Sequence, residues 1–264
     1  MTLKQEDIAS LQQAVLLLQK QGFAARLAVL AGKPLDVIGN IIPPLAKRTI
    51  ASVTYKTLEG ALGFAVRSVG NSSAKQSTIA HKALVTASGA ASGAFGLMAL
   101  PIELPISTTI ILRSVAEIAR SEGEDLRVLE NALECLQVFA LGGSPERDAS
   151  EHGYFAARIV LAKSVTDAAR LIAGRGAVER SSPIVVQFIT SLASRYGPVV
   201  TQKIAAQTLP ALGAIGGAGL NYAFIDHFQK IARGHFIVRR LEKTYGKDIV
   251  QAEYERMSAA TSRS

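Results

Sequence analysis

Between Lys82 and Arg113 the chain carries one charged side chain, Glu103. It stands in "LPIELP" (100–105), bracketed by Pro101 and Pro105, with long uncharged stretches around it. A carboxylate held among apolar helices could bind an ion, hand on a proton or anchor a ligand. A plainer reading competes with these. The spacing predicts a helix over 104–122, and a carboxylate at its start is favoured by the free backbone N–H groups there. Arg113, the first base after Glu103, belongs to the same candidate site. Asn221 and Asp226 sit five residues apart on a second Gly/Ala-rich segment, where Asn221 could reach across to the "LPIELP" turn or else satisfy a backbone group.

Other chemistries find little support. His227 and His235 are eight apart on one predicted helix, about two turns, whereas a helical metal pair prefers i and i+4. His81 and His152 fall in other segments. The histidines therefore read as partly exposed structural residues, and no metal or cofactor is expected. Cys135 reads as a buried, inert thiol. "GAASGAFG" has serines but no Gly-x-Ser-x-Gly elbow and no preceding strand. "AGKP" has Pro where a phosphate loop needs a hydroxyl. The glycines at 213, 216, 217 and 219 lack the strand and the acid of a dinucleotide fingerprint. Arg233, Arg239, Arg240, Lys243 and Lys247, interleaved with Phe228, Phe236 and Ile237, make a basic stretch suited to anionic lipid. A solvated face balanced by Glu242 and Asp248 is the alternative.

The elements that must position these residues are helical. Helices are predicted near 5–20, 45–69, 75–98, 104–122, 124–141, 153–173, 182–197, 200–209 and 211–245. In 124–141, Leu126, Leu129, Leu133, Leu136 and Ala140 form an inner stripe, with Arg127, Glu130 and Glu134 outside, and Gly142-Gly143 reads as the end of that helix. Ser182 and Pro183 read as a helix start and Gly197-Pro198 as a stop. "LPIELP" reads as a turn joining two helices into a hairpin. No convincing strand appears, so the fold class is all-α. With no low-complexity linker, residues 1–264 read as one domain with a frayed tail over 247–264.

Two uncharged runs, 83–102 and 204–225, carry small-residue faces: Gly89, Gly93 and Gly96 in one, Gly213 and Gly217 in the other. Such faces let helix backbones approach closely, in lipid or in a packed core. Both runs are long enough to span a bilayer. Their Gly, Ser, Thr and Ala content and the polar Gln207, Thr208 and Asn221 favour a tight core over insertion.

Bulk properties narrow the partner. The chain is 48% hydrophobic and 19% charged, with a net charge of +8; soluble domains average roughly 25% charged residues. Residues 1–120 hold twelve Lys and Arg against six Asp and Glu, 121–200 hold eight against ten, and 201–264 hold nine against five. Two basic ends suit an anionic partner. No nucleic acid is expected, since there is no Trp and aromatics are 6%. One cysteine excludes an internal disulfide and suits a reducing compartment. The N-terminus, with Ile8, Leu11, Val15 and Leu18 at helical spacing, does not read as a signal peptide. A cytoplasmic protein, peripheral at the inner membrane, is the expectation.

The stretch "GAASGAFGLMALPIELPISTTIILRSVAEIARSEGEDL" (89–126) resembles the central signature of the EcsC family, and "LPALGAIGGAGLNYAFIDHFQKIARGHFIVRRLEKTYG" (209–246) resembles its C-terminal part. The resemblance covers about 80–246. Glu103 departs from it, since the family tends to have Asp there. The resemblance implies a bacterial protein with membrane-proximal work, because the founding member is encoded beside an ABC transporter. Taken together, these readings lead to a non-enzymatic, membrane-proximal helical protein that binds anionic lipid or an apolar ligand, or serves as accessory to a membrane-transporter subunit. A hydrolase using Glu103, and a membrane-inserting pore former, are the alternatives.

Overall fold

The computed structural model describes residues 3–19, 42–69, 100–143, 153–176, 178–207 and 216–262, together with Phe23 and Leu27. They form eight helices and no strand: α1 (Gln5–Gln19), α2 (Pro44–Ser68), α3 (Leu100–Ser121), α4 (Leu129–Leu141), α5 (Gly153–Arg175), α6 (Pro183–Gln207), α7 (Gly216–Tyr245) and α8 (Lys247–Ser262). The all-α expectation holds. Gly89, Gly93, Gly96, Gly213 and the helix expected over 75–98 lie outside the described residues, and Gly217 stands in the first turn of α7. Among the described residues no helix is long and apolar enough to cross a membrane.

The long helix α7 is the hub, packed against α1, α3, α4, α6 and α8. Side-chain pairs fix the directions. Glu103 meets Asn221, Ser114 meets Gln229, and Glu124 meets Arg239, so α3 and α7 run parallel. Thr108 meets Tyr196 while Glu103 meets Lys203, so α6 runs antiparallel to α3. His227 reaches Gly142 and Arg239 reaches Asn131, so α4 runs antiparallel to α7. Inside, Phe139, Tyr196, Phe224 and Phe228 stack on one another at 5.0–6.2 Å between ring centroids. Aromatic contacts of this geometry add to plain apolar burial.

Several boundaries differ from expectation. "LPIELP" is no turn: α3 begins at Leu100 and runs through both prolines. Pro101 lies in the first turn, where its N–H would have no partner, and Pro105, in the second turn, removes one bond, the one its N–H would make to the Pro101 carbonyl. Gly197-Pro198 does not stop α6, which continues to Gln207. Tyr196, Val199 and Val200 are buried around the proline, and their packing outweighs a lost bond. The helix expected over 124–141 starts at Leu129. Before it, Gly123 takes a positive φ of 84°, and Asp125 caps the turn by accepting from the Arg127 backbone N–H at 3.0 Å. The tail expected to fray over 247–264 is the helix α8. It is anchored by buried Val250 and Tyr254, the latter packed on Tyr154 and Phe155.

Candidate functional site

Glu103 lies in the first turn of α3, where the sequence places a carboxylate against the free N–H groups. α6 and α7 complete its surroundings. Lys203, in the last two turns of α6, donates to Glu103 Oε1 at 2.7 Å. Asn221 Nδ2 donates to the same oxygen at 3.3 Å, which is the reach across to "LPIELP" that the sequence suggests. Lys203 has no exposed surface and Glu103 is 7% exposed. The ammonium also lies 4.5 Å from the Phe224 ring centroid, a cation–π contact in dry surroundings. One turn further in, Thr108 and Tyr196 share a hydrogen bond of 3.0 Å. Burial pulls Lys203 below its ordinary range, and the Glu103 charge pulls it back only in part. Burial likewise pushes the Tyr196 phenol up. A general acid or base must reach the proton it moves. The described partners of this carboxylate are an ammonium and an amide, which suits a structural tie better than turnover.

A second charged cluster occupies the opposite end of α7. His235 has no exposed surface. Its Nδ1 pairs with the Tyr154 hydroxyl at 2.9 Å, and its Nε2 faces Glu134 Oε2 at 3.4 Å. Arg239 reaches Glu134 Oε1 at 3.2 Å, Glu124 Oε1 at 2.9 Å and Asn131 Oδ1 at 3.1 Å. Lys243 donates to Glu124 Oε2 at 2.8 Å. Arg158 clamps Glu242 with two bonds of 2.8 Å, the bidentate geometry that guanidinium and carboxylate favour. Arg240 joins Glu122 at 2.9 Å and Asp7 at 3.3 Å, and the Tyr245 hydroxyl donates to Asp7 at 2.7 Å. Burial alone would push Glu134 up, but His235, Arg239 and Arg158 together hold it below the usual carboxylate range. Burial, helped by Arg158 and Arg239, holds the His235 imidazole below its ordinary range against the pull of Glu134.

The structure brings together Glu103 and Asn221 and leaves the other expected site residues apart. Asp226 pairs with Lys230 at 2.7 Å. Arg113 is exposed on the outer face of α3, its guanidinium 5.2 Å from the Phe64 ring centroid. Arg239 and Arg240 are engaged by acids of α1, α4 and the α3–α4 turn, not by Glu242 and Asp248. His227 and His235, expected to be partly exposed, are buried, and His227 Nε2 lies 2.7 Å from the Gly142 carbonyl. No group of residues that could hold a metal ion occurs among the described residues. Cys135 is buried as expected, and burial pushes its thiol up to about 12. Sequence reading missed Lys203, although it carries the same signal as Glu103: it is the one charge between Arg195 and Asp226. It also set Glu134 on the solvent side of its helix, where the structure buries it.

The model of the EcsC protein family matches residues 68–241, well over half of the chain. No match was found among curated proteins or among solved structures.

Proposed function

The chain belongs to the EcsC protein family, and on that premise we propose that it is a non-enzymatic, membrane-proximal helical protein that binds anionic lipid and works there as an accessory to a membrane transporter. One observation carries the reading: charge is segregated along the hub. At the far end of α7 the acids and bases of α1, α4, α5 and the α3–α4 turn cancel in internal pairs. At the near end, residues 60–69, 100–117, 187–207 and 216–230 hold Arg67, Arg113, Arg195, Lys203 and Lys230 against Glu103, Glu117 and Asp226; Glu103 is buried against Lys203 and Asp226 pairs with Lys230. Described parts of two uncharged runs, 100–102 of α3 and 204–207 of α6, lie at this same end. An end whose exposed charge is net basic is the composition that an anionic bilayer attracts.

Co-sedimentation of the whole protein with vesicles of phosphatidylglycerol and phosphatidylcholine, and with phosphatidylcholine alone, tests this. Binding to the anionic vesicles at low salt that weakens at high salt is expected. Full recovery in the supernatant with both vesicles at low salt would refute it.

A further inference from the structure

We propose that the molecule docks on an anionic bilayer end-on, with Ile102, Ile106 and Tyr222 in the boundary between headgroups and acyl chains and Arg113 on the lipid phosphates. This rests on the membrane-proximal reading and specifies its surface.

Ile102 and Ile106 are one turn apart on α3 and are 69% and 46% exposed. They are large β-branched side chains facing away from a core that takes Leu104, Ile111 and Val115 from the same helix. Tyr222, on α7, is 47% exposed. It follows Asn221, and Ile102 precedes Glu103, so the Asn221–Glu103 hydrogen bond sets the two exposed side chains at one level of the bundle. Tyrosine, with an apolar ring and a polar tip, suits a bilayer interface. The described residues at this level of α3, α6 and α7 are thus uncharged on the outside, while their two charges, Glu103 and Lys203, are sealed within.

The outer stripe of α3 continues from Ile102 and Ile106 through Thr109 to exposed Arg113. Seven residues of helix separate Ile106 from Arg113, about 10 Å along the axis. An interfacial apolar face sinks about 5–10 Å into the headgroup–acyl boundary. Ile106 at that depth puts Arg113 at the level of the phosphates. Arg67, near the end of α2, is exposed as well, and it lies one turn beyond the Phe64 ring that Arg113 covers. The acids nearest these bases in sequence, Glu59, Glu117 and Asp226, are half-buried or buried, and Asp226 pairs with Lys230 at 2.7 Å, so the exposed charge here is basic. That imbalance selects an anionic surface as the occupant.

The chain has no Trp, so a single introduced indole reports its own surroundings. Tyr222→Trp probes the proposed face. Ile159→Trp probes the far end, where Ile159 is 69% exposed beside the Arg158–Glu242 clamp. On adding anionic vesicles, the Tyr222→Trp emission is expected to move to the blue and the Ile159→Trp emission to stay unchanged. Ile102→Glu with Ile106→Glu should lower vesicle affinity at least about tenfold, and Arg113→Gln should lower it about fivefold on anionic vesicles only. If vesicles bind but Ile159→Trp shifts, alone or together with Tyr222→Trp, the orientation is wrong and the membrane-proximal reading stands. Binding with Arg113→Gln unaffected refutes the phosphate contact. No binding by the wild-type protein refutes both the orientation and the reading beneath it.

Discussion

A lysine with no exposed surface stays charged only if something nearby holds the charge, and Lys203 has the Glu103 carboxylate at 2.7 Å. Desolvating both ions is costly, and their attraction repays the cost only while both are present. Lys203→Met alone leaves Glu103 buried without its cation. It is expected to cost about 3–5 kcal/mol of unfolding free energy, read by urea denaturation. Adding Glu103→Gln to it should recover most of that loss, because a neutral amide beside Met leaves no buried charge. Equal losses in the single and double variants would mean that the pair is not the tie the geometry describes. Half of this pair is legible without coordinates, since a lone acid in a long uncharged run stands out. Lys203 has the same property, but it sits at the edge of its run, where a cation stands out less. Glu134 is not legible at all. Helical periodicity assigns it to the face of Glu130, and only the arrival of His235 and Arg239 from α7, about a hundred residues later, makes burial tolerable there.

At the scale of elements, two glycine-bearing breaks read alike in sequence and differ in structure. Gly142-Gly143 reads as a helix end, and α4 does end there. The reason lies across the interface as much as in the local backbone. A Cβ on Gly143 would collide with the Arg195 carbonyl group of α6, so α4 and α6 pack with backbone against backbone at this point. Gly143→Ala must push the two helices apart, and an overpacking loss of about 3 kcal/mol is expected in thermal or urea unfolding. Gly60, exposed on α2 with open space where a methyl would stand, is the contrast: Gly60→Ala should stabilise by up to about 1 kcal/mol through helix propensity. A neutral Gly143→Ala would refute the close contact. Gly197-Pro198 shows the opposite case. Local chemistry there predicts a stop, and buried Tyr196, Val199 and Val200 carry α6 past it. Helix type and inner stripes are readable because they repeat along one segment. Helix ends are less so, because tertiary packing decides them.

For the whole molecule, the two ends of α7 behave as different materials, and acid should separate them. The far end is knit by His235, which meets Tyr154 of α5 and Glu134 of α4 and lies among the charges of Arg158 and Arg239. Protonating His235 would set a third cation among two guanidiniums, with Glu134 the one acid facing it directly. The imidazole is held below its ordinary value of 6.5 in the folded protein. The unfolded chain therefore takes up this proton first as pH falls, and stability that is complete above about pH 6.5 is lost progressively below it. Carboxylates held low, Glu124 and Glu134, add to the loss further into acid. Glu117, pushed up to about 6 by burial, works the other way and offsets part of this loss, so the His235 contribution is read as the difference in slope of the thermal midpoint between about pH 6.5 and 5 with and without the imidazole. His235→Gln keeps a neutral hydrogen-bonding side chain that cannot titrate, so its midpoint should be lower at neutral pH but flatter across that window. A His235→Gln variant with the same slope as the wild type from about pH 7 to 5 would remove His235 from this role. Around the first half of α7 the buried acids are matched locally, Glu103 by Lys203 and Asp226 by Lys230, and buried His227 meets the Gly142 carbonyl. The His235 contribution therefore belongs to the end that faces away from the proposed lipid surface, and it can be measured without any membrane present.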